Sequence, residues 1–267
     1  MEGFVASWAL TCHLTRDPAS EATLAAALAR FAPATPELLE RRKLLRRADT
    51  KFLTTPREIT AIADGITGDY AVVAVGASNI ATYANLYFDT PDLRCFHDHR
   101  RGRRLRHKIR IRHYADRELS FLEVKARRNE LFTDKARLRV AYQTSALDSA
   151  MIAFLRDRCS FADAIVPTVE IDYQRIMLVG MTTDERITID LGVSVDHNDQ
   201  LALGAVAIVE VKQPSRSLTT PVMRTLRDAG VKPCSISKYM TALTVTESVR
   251  GNRLLPSLRH LERIAHS

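Results

Sequence analysis

Arg106-His107-Lys108-Ile109-Arg110-Ile111-Arg112 places a basic side chain at every even position and His107, Ile109 and Ile111 at the odd ones. Side chains alternate faces along a β-strand, so the stretch predicts a strand with one cationic face and one largely apolar face. Three later stretches repeat the pattern. In Phe121-Leu122-Glu123-Val124-Lys125-Ala126, Glu123 and Lys125 oppose Leu122, Val124 and Ala126. In Arg186-Ile187-Thr188-Ile189-Asp190-Leu191, Arg186, Thr188 and Asp190 oppose three aliphatic residues. In Ile208-Val209-Glu210-Val211-Lys212, Glu210 and Lys212 oppose Val209 and Val211.

Taken singly, each stretch is an ordinary half-buried strand, apolar face inward and charged face in water. Two features together favour the opposite arrangement. The charged faces mix signs, as an organised polar surface would. Helices announced by Thr55-Pro56, Thr90-Pro91 and Thr220-Pro221 also need an apolar surface to pack on; Glu58 is placed for a capping box, and Gly230 ends the last helix. If these helices cover the aliphatic faces from outside, the charged faces enclose a lumen. Eight strands are predicted: 47–53, 82–88, 105–114, 119–126, 135–142, 168–179, 186–195 and 205–212. The expected fold is α+β, a closed antiparallel eight-stranded β-tunnel with a charged lumen and helices packed outside.

The 267 residues, 46% hydrophobic, suffice for one large core. The expected division is a peripheral helical segment over 1–36, the tunnel domain over 37–248 and a helical tail over 249–267. Helices are also predicted over 21–31, 36–45 and 146–158, and Leu254, Leu255, Leu258, Leu261 and Ile264 give the tail a helical spacing. A net charge of +8 and a pI near 9.5 point to an anionic partner. Cys12, Cys95, Cys159 and Cys234 form no CxxC pair, which suggests reduced thiols in the cytoplasm. No transmembrane span is expected, and Met1–His13 does not read as an export signal. A lumen lined by Arg and Lys with a few carboxylates suits a metal–phosphate ligand, because Arg contacts phosphate bidentately and Glu or Asp offers hard oxygens to Mg²⁺ or Mn²⁺.

An ordered series of short motifs carries a family resemblance: Asp49-Thr50-Lys51-Phe52, Tyr87-Phe88-Asp89-Thr90-Pro91, Lys108 to Arg112 with Tyr114, Phe121 to Lys125, Tyr173-Gln174-Arg175, Arg186 to Asp190, Glu210-Val211-Lys212 and Ser237-Lys238-Tyr239. Over about residues 47–243 the chain resembles the VTC domain, the polyphosphate polymerase domain of the vacuolar transporter chaperone complex. That domain belongs with the CYTH proteins to the triphosphate tunnel metalloenzymes. The resemblance implies phosphate binding by Lys51, Arg110, Arg112, Lys125, Arg175, Arg186, Lys212 and Lys238. Of these, Lys51, Arg110, Arg112, Lys125 and Lys238 would act in catalysis. It implies a metal, Mn²⁺ or Mg²⁺, on Glu210, with Glu123 and Asp190 as helpers. Where many tunnel enzymes begin with an ExExK strand, this chain has Arg47-Ala48-Asp49-Thr50-Lys51, which lacks both glutamates and leans toward the VTC type.

The implied activity is metal-dependent polyphosphate synthesis, an ATP-polyphosphate phosphotransferase moving the γ-phosphate of ATP to a growing chain. A triphosphatase of the same fold and a non-catalytic polyphosphate-binding module are the alternatives. Nucleic acid is not expected as a partner, because the basic strands show no aromatic stacking platform. A membrane partner protein stays open. His97 and His99 are expected on a solvated helix face, Arg100 to Arg106 on the surface, and Asp89 with Thr90 as helix caps.

Overall fold

The computed structural model describes residues 18–43, 47–127, 133–196, 201–202, 206–246 and 255–265. Met1–His13, Cys12, Leu44, Leu45, Leu254 and Ala205 of the expectations above lie outside these. Twelve strands form one sheet: β1 (Ala32–Pro33), β2 (Ala48–Thr54), β3 (Tyr70–Val72), β4 (Ile80–Asp89), β5 (Arg106–Tyr114), β6 (Leu119–Arg127), β7 (Thr133–Val140), β8 (Val166–Gly180), β9 (Arg186–Asp196), β10 (Leu201–Ala202), β11 (Ala207–Gln213) and β12 (Pro233–Cys234). The main path runs β12-β2-β11-β9-β8-β4-β5-β6-β7, and all its pairings are antiparallel. The eight predicted strands are all present. The four additional ones are two or three residues long, too short to leave a periodic signal.

The helices are α1 (Pro18–Leu28), α2 (Pro36–Arg41), α3 (Pro56–Ile66), α4 (Arg94–Arg101), α5 (Ser149–Arg156), α6 (Pro221–Asp228), α7 (Lys238–Thr246) and α8 (Leu255–Ala265). Thr55 caps α3 and Glu58 completes the capping box. Its apolar residues at helical spacing, Ile59, Ile62, Ala63 and Ile66, are all buried. They join α1, α6, Phe52 of β2 and the aliphatic residues of β8, β9 and β11 in one core. Burying each Ile contributes about 1.5–3 kcal/mol. The α1 segment, expected at the periphery, supplies Leu24, Ala27, Leu28 and Phe31 to that core. Gly230, at φ 74°, follows the end of α6, where a side chain would be strained. The expected start of the Thr90-Pro91 helix is corrected: α4 begins at Arg94, because Leu93 takes a left-handed conformation. Asp89 and Thr90 nonetheless cap it, accepting from the backbone N–H of Cys95, Phe96 and Arg94.

Helices therefore cover the aliphatic faces from outside. A second outer core joins Leu86, Phe88, Ile109, Ile111, Leu122 and Val124 to Met151 and Leu155 of α5. On the inner face, one end is apolar and is covered by α7 and α8, including Leu53, Ile208, Tyr239, Leu243 and Leu261. The remainder is charged. The sheet curls enough that Lys125 on β6 lies within electrostatic reach of Asp49 and Lys51 on β2 and of Glu210 on β11, although five and four strands respectively intervene on the path. Full closure, expected from the strand count, is corrected. Among the described residues β7 bonds only to β6 and β12 only to β2, so the lumen is bounded by a curled open sheet and by α7.

Candidate functional site: a cation-lined lumen

Strand register decides which inner-face charges meet. Arg110 stands opposite Glu123, Arg175 opposite Asp190 and Lys51 opposite Glu210. Arg110 donates to Glu123 at 2.6 Å, and Lys135 approaches the other carboxylate oxygen at 2.7 Å. Arg175 grips Asp190 bidentately at 2.5 and 2.8 Å, with Lys238 as a second partner. Lys51 and Lys212 take one oxygen each of Glu210, at 3.0 and 2.6 Å. Burial would raise the pKa of all three acids. The cations outweigh it and hold Glu123, Asp190 and Glu210 well below the usual carboxylate range.

Tyrosines from β4 and β8 are interleaved with these ions. Arg110 donates to the Tyr87 hydroxyl at 2.9 Å, and Arg112 donates to Asn85 and to the Tyr173 hydroxyl, each at 2.8 Å. Tyr83 and Tyr173 stack at 5.4 Å, with the Arg112 and Arg175 guanidinium groups each 5.0 Å from the Tyr83 ring centre. The expectation of no aromatics among the basics is thus corrected. The aromatic residues lie on the neighbouring strands, where single-strand alternation does not show them.

Beside this paired middle opens a cavity of about 330 Å³, lined by Lys43, Arg47, Arg112, Arg175, Arg186 and Lys212 together with Tyr83, Tyr114 and Met177. No carboxylate lines it. Arg186 and Lys212 stand directly opposite each other in the β9–β11 register. Such like-charge pairs are unfavourable. Burial, and Arg47 after it, lowers the pKa of Arg186, whose side chain has no carboxylate partner among the described residues. The cavity can take a compact polyanion: Arg186 offers a guanidinium fork with no carboxylate of its own, while Arg175, Lys212 and Arg47 reach the wall with Asp190, Glu210 and Asp49 held behind it.

All eleven residues expected at the site lie on this inner face or at the start of α7. Arg112, Arg175, Arg186 and Lys212 line the cavity, Arg110, Glu123, Asp190, Glu210, Lys51 and Lys238 form the paired middle, and Lys125 opens to solvent beyond it. Sequence reading missed Lys135, whose strand alternates Lys135, Arg137 and Arg139 against Ala136, Leu138 and Val140. It also missed Lys43 and Arg47 at the cavity and the Tyr83-x-Asn85-x-Tyr87 alternation of β4. His97 and His99 are half-buried rather than solvated, with Nδ1 of His97 and Nε2 of His99 enclosed. Cys95, Cys159 and Cys234 are free thiols.

A resident divalent ion held by protein ligands alone does not fit these residues. Both oxygens of Glu123, Asp190 and Glu210 are engaged by cations, and no group of three potential ligands occurs among the described residues. Glu210 is the most open of the three, with 18% of its side chain exposed against 3% and 4% for Glu123 and Asp190.

No curated protein sequence matches the chain. Among solved structures, a candidate adenylate cyclase from Bacillus halodurans aligns with a TM-score of 0.49 at 12% identity, covering 72% of this chain and 94% of its own. A candidate adenylyl cyclase from Hippeastrum, described as having a dominant triphosphatase activity, aligns with a TM-score of 0.48 at 13% identity, covering 74% and 97%. No helix of the described residues is long and apolar enough to cross a membrane. The model of the VTC domain matches residues 46–246, which hold all of the lumen residues described above except Lys43, and the chain belongs to that family.

Proposed function

We propose that the chain is a polyphosphate polymerase, an ATP-polyphosphate phosphotransferase. The terminal phosphate oxygen of the growing chain attacks the γ-phosphorus of ATP. The bond from that phosphorus to the β,γ-bridging oxygen breaks, and ADP leaves with the electron pair. The observation that carries the reading is the cavity lined by six cations and no carboxylate, five of the six within the matched domain. Phosphoryl transfer asks little covalent chemistry of a protein and much positioning and charge stabilisation. Arg112, Arg175, Arg186 and Lys212 bind the phosphates from the cavity walls. Arg110, Lys51, Lys125 and Lys238 extend the cationic surface along the lumen. Glu123, Asp190 and Glu210 orient the cations they hold, so that the donors need no rearrangement when charge develops on the transferring group. A divalent ion enters bound to the nucleotide, as part of the substrate.

The engaged carboxylates favour a second reading, a polyphosphate-binding module without turnover. One experiment separates the readings. The purified protein is incubated with ATP and Mn²⁺ or Mg²⁺, and products are resolved on a gel stained for polyphosphate, beside Glu210→Gln. A ladder of long chains, lost or strongly reduced in the variant, supports the polymerase and ties it to the lumen. Free phosphate without a ladder replaces it with a triphosphatase. Tight polyphosphate binding without turnover leaves the binding module.

A further inference from the structure

Away from the cavity, the inner face carries a second concentration of positive charge. Lys108 on β5 stands directly opposite Lys125 on β6, and Lys125 directly opposite Lys135 on β7. Three lysines thus lie side by side across three adjacent strands, in the positions where like charges repel most. Lys135 is compensated by Glu123. Lys108 is not compensated in the same way: its Nζ donates to the Ser237 hydroxyl at 2.9 Å and forms no ion pair among the described residues.

Its surroundings are cationic on every side. Arg106 and Arg110 flank it on its own strand, Lys125 faces it from β6 and Lys51 from β2, while His99 of α4 lies within electrostatic reach. Asp49 and Glu210 act on Lys125, and Glu210 is already held by Lys51 and Lys212. Ser237, which also accepts from the Met240 backbone N–H, fixes the ammonium at the start of α7. A phosphate at this point would meet Lys108, Lys125 and Lys51 together.

We propose that Lys108 and Ser237, with Lys51 and Lys125, form a phosphate subsite on the β5–β6 side of the lumen, and that filling it is coupled to uptake of one proton by Lys108. Burial, then Lys125 and Lys51, pushes the Lys108 ammonium down to about pKa 7, so near neutrality the free protein holds this group partly uncharged. A bound phosphate supplies the missing negative charge and raises the pKa again. Binding is therefore strongest below about pH 7 and weakens as pH rises, by up to about tenfold per pH unit while the proton is being taken up.

This inference rests on reading the lumen as a polyphosphate site, and the test keeps the two apart. Tripolyphosphate is titrated calorimetrically into wild-type protein and Lys108→Arg, from about pH 6.5 to about pH 9, in two buffers of different ionisation enthalpy. The ligand's own titration is common to both proteins, so their difference reports residue 108. The arginine stays charged throughout. Wild type should lose affinity relative to the variant by about tenfold per pH unit above neutrality and take up more protons on binding. Lys108→Met, which cannot charge, should bind weakly even at the lowest pH and show the same reduced uptake; it decides the matter if the arginine variant fails to fold. Parallel profiles and equal proton counts in all folded variants overturn the inference alone. No tripolyphosphate binding by wild type at any pH overturns the reading of the lumen as well.

Discussion

The middle of the lumen and its cavity are built from the same residue types in opposite registers. In the middle, antiparallel pairing sets Arg110 against Glu123 and Arg175 against Asp190, and the side chains bond across the strands. At the cavity, Arg186 faces Lys212 and no carboxylate lines the wall. Opposite charges in register hold the inner face together without a ligand. Like charges in register leave a repulsion that a polyanion relieves. The contrast is sharpest at Arg186, which has no carboxylate partner among the described residues; Arg175 and Lys212 belong to both regions, lining the cavity while they hold Asp190 and Glu210.

The comparison is broken most severely by removing a buried counter-charge. Glu123→Gln leaves Arg110 and Arg112 uncompensated beside a side chain only 3% exposed. The account predicts a loss of about 3–5 kcal/mol in stability by denaturant unfolding. At the cavity the same class of change should act on binding instead. Arg186→Gln removes a charge-assisted phosphate contact worth about 1.5–3 kcal/mol, hence roughly 10- to 150-fold in tripolyphosphate affinity, with an unchanged melting temperature. Asp190→Asn sharpens the contrast with pH: because Asp190 is held below its ordinary range, its stabilisation is present above about pH 4 and is lost as pH falls further. Acid unfolding of the variant should be less steep than that of wild type. The smallest effect is expected at the outer helices, where Thr55→Ala removes the α3 cap and costs about 1 kcal/mol without touching affinity.

Much of this was legible in the strands themselves. Alternation in Arg106–Arg112 and Glu210–Lys212 identified both faces, and the Thr-Pro signals implied helices on the aliphatic one. Closure was not legible, because it depends on whether β7 and β12 meet, which no local pattern specifies. Neither was the register. Glu123 and Lys125 look equivalent along β6, yet one meets two arginines and the other two lysines. Tyr87, Tyr114 and Tyr173 stand in the motifs, yet the place of Tyr87 and Tyr173 among the lumen cations was hidden for the same reason, since the arginines that donate to them lie on another strand.

The central claim is that the carboxylate-free cavity binds a chain of phosphates. Its most direct test is calorimetric titration of tripolyphosphate into wild-type protein and Arg186→Gln at two salt concentrations. The account predicts saturable binding by wild type, weakened by salt and by at least about tenfold in the variant, which keeps its fold. Absent binding, or binding of equal strength in both proteins, would contradict it.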